Sequence, residues 1–89
     1  MGGDNEMPLF MDIHKNVDGL SVEGVIEAHK KDLESQGKHG VKYLRYWFNE
    51  DEGTVFCLFE APNAEAGAAV HAEAHGGVAD EIIEVQEGE

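Results

Sequence analysis

Val41-Lys-Tyr-Leu-Arg-Tyr-Trp-Phe48, Asn49-Glu-Asp-Glu-Gly53 and Thr54-Val-Phe-Cys-Leu-Phe-Glu-Ala61 run on without a break, and their reading decides the fold. The two flanking runs are rich in aromatic and β-branched residues, and an acidic, glycine-closed loop joins them. That composition predicts two strands paired through a hairpin. Upstream, Ser21 caps a predicted helix from Val22 to about Gln36, which Gly37 and Gly40 stop. A strand from Pro8 to Lys15 precedes it, with a turn at Asn16 to Gly19. Downstream, Pro62 and Asn63 open an alanine-rich helix that runs to about His75, where Gly76 and Gly77 end it. Glu81 to Glu87 reads as a last strand. The order is βαββαβ, which implies an α+β, ferredoxin-like fold: a four-stranded antiparallel sheet with two helices on one face. Residues 1–7 read as a flexible tail, and residues 8–89 as a single domain.

The strand patterns extend the expectation to assembly. Strand one sets Leu9, Met11 and Ile13 against Phe10, Asp12 and His14. Strand two sets Val41, Tyr43 and Trp47 against Leu44, Tyr46 and Phe48. Both faces are largely apolar, yet two helices cover only one face of four strands. A partner sheet would cover the other, so a homodimer is expected, in the form of a dimeric α+β barrel.

Composition narrows the function. Among 89 residues there are 6 Lys and Arg against 19 Asp and Glu, giving a net charge of −13. Such a surface repels phosphate backbones and anionic lipid, so neither nucleic acid nor a membrane is an expected partner, whereas cations are attracted. One cysteine, Cys57, excludes an internal disulfide framework and fits a reducing compartment. No basic-then-apolar leader or spanning segment is present, so the cytoplasm is the expected location.

Five histidines carry the candidate chemistry. His71 and His75 stand at i and i+4, on one face of the second helix, where two imidazoles can share a divalent ion. On a helical projection they fall at the margin of the packing face and beyond it, an accessible rim. An ordinary polar rim is the competing reading. His14, at the end of strand one, and Glu60, near the end of strand three, are further candidate ligands. In the first helix Val22, Ile26 and Leu33 project at about 60°, 100° and 80° from Val25, with His29 inside that arc at about 40°. His29 should therefore point toward the sheet, with Asp32 one turn on to orient it. It is either a satisfied buried histidine or the general base of a pocket walled by Tyr43, Trp47 and Cys57. Cys57 reads equally as a small buried hydrophobe. The zincin motif is absent, since Ala72 follows His71, and so are a P-loop, GxGxxG and CxxC.

Phe10-Met-Asp-Ile-His14, Glu27-Ala-His-Lys-Lys-Asp-Leu33, Phe56-Cys-Leu-Phe-Glu-Ala-Pro62 and Asp80-Glu-Ile-Ile-Glu-Val85 together carry a resemblance. From about Pro8 to Val85 the chain resembles a family of small bacterial ferredoxin-like proteins, long catalogued as a domain of unknown function. Its characterised member is a nickel-binding protein thought to sequester or detoxify the metal. The resemblance implies a dimer that binds several nickel ions at its surface.

Two functions are thus expected to compete. One is a non-catalytic metal-binding protein holding nickel, or zinc, cobalt or copper, through His71, His75, His14 and Glu60. The other is a small cofactor-independent enzyme of the dimeric α+β-barrel type, a monooxygenase or isomerase, with His29 as general base oriented by Asp32 or Glu60. A cavity of at least ~300 Å³ beside His29 would favour the enzyme.

Overall fold

The computed structural model describes residues 8–74, 76–77 and 79–88. The expected tail at 1–7 and the expected ligand His75 lie outside the described residues. The elements are β1 (Leu9–His14), α1 (Val22–Ser35), β2 (Lys42–Asn49), β3 (Thr54–Glu60), α2 (Ala64–Ala74) and β4 (Glu81–Val85). Ser21 starts α1 as expected, its Oγ accepting the Gly24 amide at 3.1 Å. Asn63 does the same for α2, its Oδ1 accepting from the Ala66 amide at 2.9 Å. After α1 a short 3₁₀ turn, Gln36–His39, ends at Gly40, whose φ of 67° is the left-handed conformation that glycine adopts without penalty.

The strands lie in the order β2-β3-β1-β4, every neighbouring pair antiparallel. This is the ferredoxin-like arrangement, with both helices on one face. The expected barrel does not form. The sheet is open, with β2 and β4 as its edges. Four strands cannot close on themselves, since even the small closed barrels take about eight. Apolar alternation signals a face to be covered, and it carries no information about closure.

Side-chain alternation along β2 is interrupted between Tyr43 and Arg45 by a bulge. Tyr43 is in register with Phe59, Tyr46 with Cys57 and Trp47 with Phe56. The extra residue moves Tyr46 and Phe48 onto the helix-covered face with Tyr43, and sends Trp47 to the other. Strict alternation therefore misplaces Trp47, which stands 46% exposed on the outer face.

On the inner face Phe10, Tyr43, Phe59 and Val70 form the core with Val41, Cys57 and Ala61. Phe59 stacks on Phe10 at 5.5 Å between ring centroids and tilts against Tyr43 at 5.1 Å. Helix α2 comes down onto this cluster at Gly67, where any Cβ would lie 2.4 Å from the Phe59 ring. Helix α1 is rotated from its expected setting. Val22, Ile26 and Leu33 are exposed, while Val25 and Asp32 are buried. The apolar arc is only part of what orients the helix, because Asp32 is drawn inward by an imidazole on α2.

Candidate metal centre

Asp12 stands in the middle of β1, a strand otherwise apolar on this face up to His14, and is wholly buried. A carboxylate there must be paired, because an isolated buried charge is prohibitively costly. Its partner comes from α2. His71 Nε2 donates to Asp12 Oδ2 at 2.7 Å, and His71 Nδ1 donates to Asp32 Oδ1 on α1 at 2.8 Å. Tyr43 adds a third neighbour, its hydroxyl 3.1 Å from His71 Nε2 while it donates to the Gly67 carbonyl at 3.0 Å. Four elements, β1, α1, β2 and α2, are thus tied together through one imidazole ring.

Both ring nitrogens face carboxylate oxygens, which defines an imidazolium. Burial alone would push its proton off, but the hydrogen bonds to Asp12 and Asp32, with a contribution from Cys57, outweigh that and raise the His71 pKa to about 11. Burial likewise opposes ionisation of Asp12, yet the imidazoles of His14 and His71 bring its pKa down to about 2. Burial pushes the Cys57 thiol up to about 11, so it is protonated at neutral pH. Burial also pushes the Tyr43 phenol well above its ordinary value, followed in effect by the charges of Asp12 and Asp32.

Around this hub lies a group of metal-type donors. Asp12, His14, Cys57 and His71 each offer one ligand atom, all within 4.8 Å of one another. The second Asp12 oxygen, Oδ1, is 3.2 Å from His14 Nε2 in an ion-pair contact, but it accepts no aligned hydrogen bond among the described residues. A buried carboxylate oxygen without an aligned hydrogen bond is a position that a cation satisfies. The donors fit a borderline ion such as nickel, with nitrogen, oxygen and sulfur all represented. Occupation requires the protons of His71 Nε2 and of the Cys57 thiol to leave, because a metal binds the neutral ring and the thiolate.

The expected site residues separate into three places. His71 is 2% exposed, and so does not sit on a rim. The projection placed it at the margin of the sheet-facing side, but that margin is where α1 packs, and Asp32 closes over it. His14 joins it, its ring 5.1 Å from that of His71 in an edge-on arrangement. Glu60 is in register with Leu9 and Lys42, on the opposite face of the sheet from this group. Among the pocket residues, Tyr43 is bonded to His71, Cys57 is among the donors and Trp47 is on the outer face.

His29 is half-buried and lays its ring against Tyr46, 4.5 Å between centroids. Beside it the space between α1 and the sheet is open, a cleft of about 370 Å³ bordered by Leu20, Val25, Ala28, Tyr46 and Val55 and reaching His14, Cys57 and His71. The cavity size set for the enzyme reading is thus met, although its expected walls, Tyr43 and Trp47, do not border it. Asp12 and the Asp12/His14 spacing were missed in the sequence as ligands. A charged residue at an inward strand position, two residues from a histidine on the same face, was the available signal.

Fold and centre together define a class: a ferredoxin-like domain with a buried acid–histidine–thiol group able to coordinate a divalent transition metal. Residues 10–85 match the family described as nickel responsive protein SCO4226-like, and the chain belongs to that family. A solved structure, the crystal structure of SCO4226 from Streptomyces coelicolor A3(2), is similar at 37% identity with a TM-score of 0.84. The match covers 91% of this chain and 99% of that one. No curated protein matches the chain. No helix among the described residues is long and apolar enough to cross a membrane.

Proposed function

We propose that this protein binds a divalent transition-metal ion, nickel in the first place, at Asp12, His14, Cys57 and His71, and that it serves to sequester the ion. The observation that carries this reading is the convergence of the four donor atoms on one another within 4.8 Å, with Asp12 Oδ1 accepting no aligned hydrogen bond among the described residues. The nickel responsiveness in the family's description supports nickel as the ion. The net charge of −13 supports a cation as the ligand. Donor type alone prefers copper over nickel, so selection between them rests on availability in the cell.

Isothermal titration of the tag-free, metal-free protein with nickel tests the reading. One ion per chain should bind at this centre, and His14→Ala combined with Cys57→Ser should weaken it at least about tenfold. Neither substitution removes a member of the Asp12–His71–Asp32 link, and Cys57→Ser nearly conserves side-chain volume, so the fold should survive. Unchanged nickel affinity in the double variant overturns the assignment.

A second copy of the chain is the proposed cover for the outer face, packed sheet on sheet rather than closed into a barrel. Its support is the exposure of Trp47 and Ile83, 46% and 47%, on a face that also carries Met11, Ile13 and Leu58. Sedimentation equilibrium should give twice the chain mass at micromolar concentration. A monomer removes the dimer from the proposal.

A further inference from the structure

The donor group does not close on itself. His14, Cys57 and His71 belong both to the donors and to the border of the cleft, while Asp12 is not on that border. The group therefore has protein behind it on the β1 side and open space in front. A purely structural metal site is closed, whereas a site that meets a further ligand keeps one side free. The cleft beyond is walled by Leu20, Val25, Ala28 and Val55, with the Tyr46 ring and the tilted His29 ring against it along one side. At about 370 Å³ it is within the size range of small-molecule sites. An apolar space of about 150 Å³ already accepts a benzene ring, so an aromatic body with a heterocyclic head fits.

Charge selects the kind of head. Asp12 and Asp32 are both buried against His71, and with Cys57 as a thiolate ligand they already outweigh the charge of a divalent ion. An anionic head would add a further uncompensated negative charge beside these buried carboxylates. A neutral nitrogen donor adds none, and it suits the same borderline ions as the imidazoles already present.

We propose that the cleft binds a small molecule with a neutral, nitrogen-donating head and an apolar body, the head meeting the donor group at His14, Cys57 and His71 and the body lying between Tyr46 and Val25. This rests on the metal reading above.

The test uses cobalt(II), whose visible absorption reports its ligands, with imidazole and 4-phenylimidazole as probes. The cobalt-loaded protein should change spectrum on addition of either, saturating at one molecule per chain. 4-Phenylimidazole should half-saturate at a concentration at least about tenfold lower than imidazole, because its phenyl ring is buried against apolar wall. Ala28→Phe, which fills the cleft from α1 away from the donors, should keep the cobalt spectrum and lose that advantage. If this variant does not fold, Leu20→Ala, which removes wall, should reduce the advantage several-fold. A cobalt spectrum that neither probe moves, or equal affinities for the two, overturns the proposal while leaving the metal reading intact. Failure of the protein to take up cobalt at all overturns both.

Discussion

His71 Nε2 and Asp12 Oδ2 lie 2.7 Å apart although 59 residues separate them in the chain. This contact joins the second helix to the central part of β1, and it makes one proton a structural component of the metal-free protein. The second carboxylate, Asp32 on the other ring nitrogen, completes an acid–imidazolium–acid link across α1, α2 and β1.

Stability of the metal-free protein should depend on pH through that link. The His71 pKa is raised from 6.5 to about 11, so its contribution is full below 6.5 and is lost as pH rises through 11. The Asp12 pKa is lowered from 3.8 to about 2, so its contribution is full above 3.8 and is lost as pH falls through 2. The link therefore stabilises most between 3.8 and 6.5. Thermal melts should show Tm falling from about pH 6 toward about pH 9, and His71→Gln should flatten that slope. A wild-type Tm rising over the same range contradicts the assignment.

Nickel affinity should run the other way. The ion competes with the protons on His71 Nε2 and the Cys57 thiol, so binding releases protons and strengthens by up to about tenfold per pH unit for each proton displaced. Titrations in two buffers of different ionisation enthalpy measure the released protons directly. Binding without proton release would place the ion elsewhere.

Asp12→Asn should be among the most damaging single changes, since it removes one of the two carboxylate charges that balance the buried imidazolium. Loss of one partner from a buried ion pair costs about 3–5 kcal/mol. Combined with His71→Gln, the cost should fall short of the sum by about 1–3 kcal/mol, because the second change removes the stranded charge. Denaturant unfolding of the three variants provides the cycle.

Gly67→Ala should destabilise by about 1–3 kcal/mol, the usual cost of overpacking. The added methyl would lie 2.4 Å from the Phe59 ring, which is itself completely buried and has nowhere to move. The Tyr43 hydroxyl bond to the Gly67 carbonyl would shift with it, so a lower nickel affinity should accompany the lower Tm.

Cys57 should react slowly with a disulfide reagent at neutral pH despite being the single thiol. It is 7% exposed, and burial holds its pKa at about 11, so little thiolate is present. The rate should rise to that of a free thiol in denaturant. Rapid reaction of the folded, metal-free protein would place the sulfur outside the core.

The element order was readable because local signals agree. Ser21 and Asn63 cap, Gly40 stops, and period-two runs flank an acidic turn, all interactions between residues close in sequence. The resemblance carried by Phe10–His14 and Phe56–Pro62 pointed to the same fold and family. The face assignments were less secure. A one-residue bulge after Tyr43 exchanged Tyr46 for Trp47 on the inner face, and such a bulge leaves no mark in strand composition.

The amino-acid sequence by itself determined the βαββαβ order, the acidic surface that favours a cation, and the kinds of donor available. Only the tertiary structure decided which donors meet. Asp12, Cys57, Asp32 and His71 come from four different elements, and a projection of one helix cannot show that the neighbouring helix covers its margin. His71 changed from an expected rim ligand to a buried imidazolium for that reason, since its surroundings are set by long-range packing and not by the residues on its own helix.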